Sequence, residues 1–432
     1  MADALPPDEN RSAGRKRGDK SGKVADFRYK RPGQSNTAKP AHNQRAARST
    51  SRNSGQNTTR NSGQKATRNS GQNTSRNAAK PPPRPHGNEA YAALDLGTNN
   101  CRLLIARPSG RDFTVIDAFS RVVKLGEDLA TTGRLSDAAM DRALGALSIC
   151  AEKLRRRNVR LARSVATEAC RRAVNGEAFI ERVKRETGIV LDIISAEEEA
   201  RLAVLGCHIL LEEGHGPAVI FDIGGGSTEL VLLEPGEKIP RIIDWQSVPW
   251  GVVSLTDTVG RSEADGQTGR EARLARYAEM RRLVSESFAP FAERIAPAAK
   301  SDDIRLLGTS GTVTTLASLH LELPHYDRKA VDGLIVPSGS MRDISTRLSG
   351  MSPAERSELP CIGQDRADLV VAGCAILESI LDLWPATRLG VADRGIREGI
   401  LRSLMAAERQ SERCLKELYQ TRGDKLQKRA GR

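Results

Sequence analysis

The chain has 432 residues, enough for two or three domains, and its charge is unevenly distributed. Residues 1–88 contain 19 Lys and Arg against 5 Asp and Glu, whereas the remainder has a net charge of −1. The seven cysteines are scattered and form no C-x-x-C pair, which argues against a disulfide framework or a zinc site. We find no run of ~18 apolar residues and no apolar core of a secretory signal, so we expect a soluble, cytoplasmic protein without membrane contact.

Residues 1–88 are poor in apolar side chains and rich in Arg, Lys, Asn, Ser, Gly, Gln and Pro. Such a segment cannot bury enough surface to offset the entropy of ordering it, so we predict a disordered basic tail. Inside it, a degenerate eight-residue repeat places arginines at positions 52, 60, 68 and 76. No apolar residue recurs with this period, so the repeat fits neither a buried helix nor a buried strand.

The body opens with a strand, a turn and a second strand over residues 91–106, where the turn reads G-T-N-N. A third strand is predicted within residues 113–126. Hydrophobic periodicity and capping signals then predict alternating helices and strands. These are a helix over 136–158 with Ser136 as its N-cap, a strand over 162–167, a helix over 176–187, a strand over 189–195 and a helix from Ala196.

Residues 218–236 repeat the opening pattern, with the glycine turn G-G-G-S-T between two apolar runs, and residues 240–251 supply a third strand. The two units match when they are aligned on Asp95 and Asp222. An internal duplication of this kind predicts an α/β protein with two similar lobes that face each other. Ligands in such folds bind in the crevice at the strand ends.

The rest of the chain is predicted to complete the second lobe with helices and one further strand–glycine turn–helix unit at residues 303–319. A strand and a helix then close the body. The predicted segments are the basic tail (1–88), lobe I (89–212), lobe II (213–388), a closing strand and helix that return to lobe I (389–405) and a charged C-terminal tail (406–432).

Three glycine-containing turns, at 97–100, 224–228 and 308–312, favour phosphate binding. Successive N–H groups in such turns form an anion-binding nest, and the missing side chains let phosphate oxygens reach the backbone. Ordinary turn chemistry is the alternative, because glycine accepts positive φ. Candidate hydroxyl donors beside the turns are Thr98, Ser227, Thr228, Thr309, Ser310 and Thr312.

Asp95 and Asp222 each stand near the end of an apolar strand. A buried carboxylate is costly unless it is hydrogen-bonded, paired or bound to metal. A local Asx-turn would satisfy it without any function. Because the motif occurs twice, we favour two aspartates that face each other across the cleft and hold Mg²⁺.

A third patch follows a strand, where V-A-T-E-A-C-R-R places Arg171 and Arg172 towards the same cleft. Arginine suits phosphate, although one of two adjacent arginines is more often a surface charge. Glu197, Glu198 and Glu199 lie in the first turn of a helix, where acidic residues commonly stabilise the helix dipole. One carboxylate turned into the cleft could instead deprotonate a water, and residue chemistry alone does not choose among the three.

Residues 89–405 resemble the exopolyphosphatase/guanosine pentaphosphatase (Ppx/GppA) family, within the actin–Hsp70–sugar kinase superfamily. The resemblance rests on eight blocks in the family's order: AALDLGTNNCRLLI, VATEACRRAVNG, ISAEEEARLAVLG, FDIGGGSTEL, SVPWGVVSL, GTSGTVTTLA, QDRADLVVAGCAIL and DRGIREGIL. It implies two duplicated, ribonuclease H-like lobes that release terminal orthophosphate from inorganic polyphosphate or from pppGpp. It also implies Mg²⁺, and it is compatible with a stimulating monovalent cation and a homodimer.

The resemblance assigns roles to the residues at matching positions. Glu199 would be the general base for the attacking water, while Asp222 and Glu229 would position metal and water and Asp95 would complete the acidic metal set. The implied phosphate-binding residues are Gly97, Thr98, Asn99, Arg171, Gly224, Gly225, Gly226, Ser227, Thr228, Gly311 and Thr312. Catalysis of this kind consists mostly of positioning and charge neutralisation.

The sequence departs from the family pattern in three places. The first turn reads G-T-N-N in place of G-S-N-S, which keeps a hydroxyl and an amide. Glu168 stands in place of Ser or Asn, and because its charge would repel phosphate we expect the side chain to point away from the cleft. Only 27 residues follow residue 405, without a His-Asp dipeptide, so we expect a short two-lobe form that lacks the HD-type domain.

Several functions stay open at this level. Polyphosphate needs a basic track and pppGpp needs a guanosine pocket, and the sequence displays neither. A kinase-like ATP-binding role is weakened by the E-E-A block. The arginines of the tail could contact RNA or another polyanion, could recruit polyphosphate, or could only be solvated.

Removal of residues 1–88 separates these roles of the tail. Recruitment of substrate predicts that the truncated protein has a higher KM for long-chain polyphosphate at physiological salt. RNA contact predicts instead unchanged turnover with a loss of RNA affinity in a filter-binding assay. Full turnover of long-chain polyphosphate by the truncated protein excludes recruitment.

Overall fold

The structure is a computed structural model that describes residues 89–110, 112–234, 240–260, 269–299 and 304–411. The predicted basic tail with its repeats lies outside these residues, as does most of the predicted C-terminal tail. The described strands are β1 (Ala90–Leu96), β2 (Asn100–Ser109), β3 (Asp112–Val122), β4 (Val159–Ala166), β5 (Asp192–Ile193), β6 (Ala218–Ile223), β7 (Thr228–Glu234), β8 (Arg241–Val248), β9 (Arg305–Thr309), β10 (Ile335–Pro337) and β11 (Arg388–Ala392).

Helices cover both faces of the sheets that these strands form. The described helices are α1 (Leu129–Thr132), α2 (Asp137–Arg156), α3 (Glu168–Arg172), α4 (Gly176–Thr187), α5 (Ala196–Cys207), α6 (Val252–Val259), α7 (Arg270–Ala299), α8 (Gly311–His320), α9 (Arg328–Val331), α10 (Ser338–Gly350), α11 (Pro353–Ser357), α12 (Leu369–Leu383) and α13 over residues 396–411. None of them is long and apolar enough to cross a membrane.

Two sheets share one strand order, which confirms the predicted duplication. The first sheet has the order β3-β2-β1-β4-β5, and the second has β8-β7-β6-β9-β11-β10. In the first, β1 pairs antiparallel with β2 and parallel with β4, and in the second β6 pairs antiparallel with β7 and parallel with β9. We call the part built on the first sheet lobe I and the part built on the second sheet lobe II.

The two-residue period of the strands decides which face each aspartate takes. On β1, Leu94 packs in the core towards α2 and α4, whereas Ala93 packs towards α13. On β6, Phe221 packs in the core with α7 and α12, whereas Ile220 packs towards α5. Because side chains alternate, Asp95 and Asp222 fall on the faces that carry α13 and α5. The apolar patterning of two strands thereby directs both carboxylates into the layer between the lobes.

Helices α5 and α13 cross in that layer with their backbones in contact. A Cβ on Gly399 of α13 would lie 2.0 Å from the carbonyl oxygen of Leu202 in α5. A Cβ on Gly206 of α5 would lie 2.0 Å from the carbonyl oxygen of Gly395. Real Cβ atoms do not approach so closely, so the crossing requires glycine at both positions.

The closing strand corrects the predicted organisation. We expected residues 389–405 to return to lobe I as a strand followed by a helix. Strand β11 instead lies between β9 and β10 in the second sheet, where Leu389 and Val391 are buried in the core of lobe II. Of this closing segment, α13 alone packs against the first sheet, through Ile400 and Leu401. The helix continues through residue 411, so the predicted charged tail begins inside it.

The predicted helix at 136–158 is confirmed with nearly the predicted bounds. Ser136 is its N-cap, and the Ser136 hydroxyl accepts a hydrogen bond of 3.3 Å from the N–H of Ala139. This contact satisfies one of the N–H groups that a helix start leaves without a partner. α2 is thereby fixed over the apolar face of β1 and β2 in lobe I.

Replacement of Gly399 by Ala tests the helix crossing. The added methyl group collides with backbone rather than with a flexible side chain, so we expect the free energy of unfolding to fall by about 1–3 kcal/mol. The matched control is Gly145→Ala in α2, where a Cβ meets nothing within 4 Å. That control should gain ~0.5–1 kcal/mol from the better helix propensity of alanine. Equal effects of the two substitutions in urea denaturation would contradict the proposed close crossing.

Candidate active site

A cavity of about 130 Å³ lies where the glycine turns of the two lobes meet. Most of the predicted site residues line it, although they come from elements far apart in the chain. Those residues are Asp95, Gly97, Thr98, Asn99, Glu199, Asp222, Gly224, Gly225, Gly226, Ser227, Glu229, Gly311 and Thr312. Two predicted site residues, Arg171 and Thr228, do not line it.

The two turns have the same internal geometry. In the first, the N–H of Gly97 donates to the carbonyl of Asn100 at 2.9 Å, and in the second the N–H of Gly224 donates to the carbonyl of Ser227 at 2.9 Å. A Cβ on Gly225 would lie 2.9 Å from Cβ of Thr98, so the turns of the two lobes pack directly on each other. On sequence grounds, phosphate binding explained the glycines. The missing side chains also allow the turns of the two lobes to approach each other closely.

The two aspartates are the most weakly satisfied acids in the cavity. Burial raises the pKa of Asp95, and nearby Arg102 opposes that rise. Within the described part of the chain, Oδ1 of Asp95 is buried without a hydrogen-bond partner. Burial raises the pKa of Asp222 to about 6, with Arg102 lowering it and Asp95 raising it. Each aspartate therefore has unsatisfied capacity for a cation or a proton.

Glu229 is held by two serines. Its Oε1 accepts a hydrogen bond of 2.6 Å from the hydroxyl of Ser227 and one of 3.0 Å from the hydroxyl of Ser247. Burial, and then the charge of Asp222, raise the pKa of Glu229 to about 7. The hydroxyl of Ser227, which we predicted as a phosphate donor, is thus already engaged by a carboxylate.

The three glutamates at the start of α5 have different surroundings. Glu197 is exposed, and Glu198 forms ion pairs with Arg163 and Arg201. Only 6% of Glu199 is exposed, and it lines the cavity. Burial, and then the charge of Glu229, raise the pKa of Glu199 well above its usual value. Of the triplet, Glu199 is the carboxylate that the fold turns into the cleft.

Arg171 does not take the predicted place on a phosphate path. Its Nη1 donates to the carbonyl of Ile194 at 2.7 Å and to Oε2 of Glu199 at 3.1 Å. Its Nη2 donates to Oε2 of Glu168 at 2.6 Å. The guanidinium therefore orients Glu199 and opposes the rise of its pKa.

Two further expectations require correction. We expected Glu168 to point away from the cleft, but it lines the cavity, because α3 begins at the cleft and Arg171 balances the carboxylate. Thr228 was expected to bind phosphate, but it is fully buried and its hydroxyl donates to the carbonyl of Trp250 at 2.6 Å. Thr228 thus fixes the glycine turn against the loop that precedes α6.

Two arginines in the cavity wall were missed by the sequence reasoning. Arg102 lies opposite Asp95 in the ladder of β1 and β2, at the position that Glu229 occupies opposite Asp222. An alignment of the two duplicated units could therefore have identified Arg102 as a site residue. Arg366 reaches the cavity from a short 3₁₀ helix and donates to the hydroxyl of Thr315 at 3.1 Å. Burial and the charge of Arg102 lower the pKa of Arg366, and no local motif marks this residue.

The carboxylates of the cavity suit a magnesium ion that takes its remaining ligands from water and phosphate. Within the described residues, no three His, Cys, Asp or Glu side chains form a ready-made metal cage. Mg²⁺ is usually held by one or two carboxylates, waters and phosphate oxygens rather than by protein alone. The buried Oδ1 of Asp95 and the Asp222 carboxylate supply oxygen donors of that kind.

Comparison with known proteins identifies the class. The model of the Ppx/GppA phosphatase family matches residues 104–408. The chain belongs to this family, whose members hydrolyse phosphoric anhydrides. The predicted α/β fold of two duplicated lobes is confirmed by the two sheets and by the solved family structures.

The chain is similar to relatives named for each of the two expected substrates, polyphosphate and pppGpp. Exopolyphosphatase 2 of Mycobacterium tuberculosis is 32% identical over 330 residues, which cover 72% of this chain and 98% of the relative. The guanosine-5'-triphosphate,3'-diphosphate pyrophosphatase of Aeromonas hydrophila is 27% identical, with 74% of this chain and 60% of the relative covered. The chain thus spans about three fifths of that longer relative.

Solved structures agree with this assignment. The Aquifex aeolicus member of the Ppx/GppA family has 29% identity and a TM-score of 0.58, and covers 74% of this chain and 98% of its own. An exopolyphosphatase-like protein has 29% identity and a TM-score of 0.63, and covers 72% of this chain and 97% of its own.

The raised pKa values of the cavity predict a particular pH dependence of stability. An acid whose pKa is raised by folding stabilises the protein below its unfolded value and loses that contribution as the pH rises through its folded value. For Glu229 the loss should fall between about pH 4.5 and 7, the interval that its pKa crosses on folding. The free energy of unfolding of the wild type should therefore fall between pH 5 and pH 8. In Glu229→Gln this fall should be smaller by ~1–3 kcal/mol, because the titrating group is gone.

Urea denaturation without divalent cations measures this effect. Glu197→Gln is the matched control, since it removes an exposed carboxylate from the same protein. Parallel pH profiles for wild type and Glu229→Gln would contradict the assignment of a raised pKa to Glu229.

Proposed function

We propose that this protein is an exopolyphosphatase that releases terminal orthophosphate from inorganic polyphosphate. The observation that carries the proposal is the cavity itself, where two glycine turns and two arginines meet a buried glutamate. The turns offer donors for phosphate, because the N–H groups of Thr98, Gly225 and Gly226 donate to no backbone carbonyl within the described part of the chain. Such N–H groups suit phosphate oxygens.

The lining favours a phosphate chain over a guanine nucleotide. Pockets for ring systems are usually lined by apolar and aromatic side chains. Among the described residues, no aromatic side chain lines this cavity, and its volume of about 130 Å³ is small. The relative named an exopolyphosphatase is covered over 98% of its length, whereas the pyrophosphatase relative is covered over 60%. We keep pppGpp as the alternative substrate because that relative matches the same lobes.

The charge of the cavity supports a requirement for Mg²⁺. Five carboxylates line it, against the two guanidinium groups of Arg102 and Arg366. A polyanion does not enter a cavity of net negative charge unless cations balance it. Ppx/GppA phosphatases are in general dependent on divalent metals. We propose that Asp95 and Asp222 hold the ion, which supplies charge neutralisation for the terminal phosphoryl group.

Glu199 is the proposed general base. Its carboxylate lies in the cavity, and Arg171 at 3.1 Å fixes its orientation. The raised pKa brings Glu199 towards the range in which a carboxylate accepts a proton efficiently. Glu199 would take a proton from water as the water oxygen attacks the terminal phosphorus. The water oxygen stays on orthophosphate, and the shortened chain leaves with its bridging oxygen beside Arg102 or Arg366.

The cysteines bear on the cellular setting. The six described cysteines are free thiols, as suits the reducing cytoplasm in which we propose that the reaction takes place. The homodimer, the stimulating monovalent cation and the RNA contact of the tail stay predictions.

Glu199→Gln tests the proposed mechanism. The amide keeps the shape of the side chain but cannot accept the proton, so kcat for phosphate release from polyphosphate should fall about 10²–10⁴-fold. The assay measures orthophosphate release in Mg²⁺ and again after chelation with EDTA, which should abolish it. Glu197→Gln, with the neighbouring exposed carboxylate removed, should keep wild-type kcat. Retained turnover in folded Glu199→Gln would exclude Glu199 as the base.

A further inference from the structure

Glu168 is a carboxylate in the cavity wall that the proposed reaction does not use. It is the first residue of α3, its side chain is 17% exposed, and it lines the cavity. A Cβ on Gly226 would lie 2.8 Å from Cγ of Glu168. The side chain therefore extends from lobe I onto the glycine turn of lobe II, which we propose to hold phosphate.

The carboxylate of Glu168 forms an ion pair with Arg171, a guanidinium that would otherwise attract the substrate. Its Oε2 accepts a hydrogen bond of 2.6 Å from Nη2 of Arg171. Nη1 of the same guanidinium is bound to Ile194 and Glu199. A charge-assisted bond of this kind is strong, and a guanidinium that a carboxylate already holds is a poor anchor for a second anion.

Glu168 also adds charge where the substrate is most charged. Asp95 and Asp222 are the proposed metal ligands, Glu199 is the proposed base, and Glu229 is held by two serines. Glu168 has no such task, and Arg171, which balances it, is shared with Glu199. Repulsion between like charges grows with the charge of the ligand and is little screened in a partly buried site.

We propose that Glu168 is a specificity-determining residue, an internal anion that weakens the binding of highly charged phosphate chains to this cavity. The inference rests on the proposed function for its substrate class. It predicts that loss of the negative charge strengthens binding of tripolyphosphate more than binding of orthophosphate. Chemistry at Glu199 is affected little, because Arg171 keeps its bond to that residue.

Glu168→Gln tests the proposal, because the amide oxygen still accepts from Arg171 while the charge is lost. The KM for tripolyphosphate should fall on the order of tenfold, which corresponds to ~1.4 kcal/mol. The inhibition constant of orthophosphate should fall less, about threefold, and kcat should stay within about threefold of wild type.

Three further variants test whether the effect comes from the charge of Glu168, from its contact with Arg171 or from a change in protein stability. Glu168→Asp keeps the charge, so its KM should stay within about twofold of wild type. Glu197→Gln removes an exposed carboxylate outside the cavity and should change neither constant. Glu168→Ser is a second neutral variant and provides the test if Glu168→Gln is unstable in a thermal melt.

The outcomes separate this inference from the proposed function. Unchanged KM and unchanged phosphate inhibition in both neutral variants would overturn the role of Glu168, as would a lower kcat without any change in KM. Calorimetric binding of orthophosphate to wild type and Glu168→Gln requires no turnover. If wild type releases no phosphate, the proposed function fails, yet the affinity difference for orthophosphate still supports or overturns the role of Glu168.

Discussion

The burial of like-charged carboxylates between the lobes is the constraint on which the rest of the structure depends. Asp95, Glu199, Asp222 and Glu229 share one cavity, and burial raises the pKa of each of them. Repulsion by other acids of the set adds to the rise for Glu199, Asp222 and Glu229. Such burial destabilises a fold unless protons, hydrogen bonds or cations balance it. Serines balance Glu229 and Arg171 balances Glu199. The least balanced acids are the two aspartates, where we propose that the cation binds.

Duplication of one strand–turn–strand unit explains how the cavity is built and why its halves differ. Each lobe contributes an aspartate near the end of a central strand and a glycine turn closed by the same hydrogen bond. The residue opposite the aspartate is Arg102 in lobe I and Glu229 in lobe II. One lobe thus supplies a guanidinium group to the cavity and the other supplies a carboxylate, although both use the same backbone arrangement.

The parts of the site that rest on local pattern were predictable, and those that rest on distant packing were not. The repeated motif was enough to predict that Asp95 and Asp222 share a cleft. Arg366 was missed because a short 3₁₀ helix from lobe II reaches the cavity only through tertiary packing. The orientation of Glu168 was wrongly predicted because its partner Arg171 lies one turn along α3, and that ion pair offsets the repulsion. The place of β11 depended on pairing with β9, which no local signal encodes.

We propose that the cavity hydrolyses the terminal bond of a phosphate chain. A side-by-side assay of orthophosphate release by the purified full-length protein, with Mg²⁺ and equal concentrations of long-chain polyphosphate, pppGpp and ATP, tests it most directly. We expect the highest kcat/KM for polyphosphate, because the cavity offers phosphate donors and, among the described residues, no aromatic surface for a base. A higher kcat/KM for pppGpp would contradict the choice of substrate. Release of no phosphate from any of the three would contradict the hydrolytic function itself.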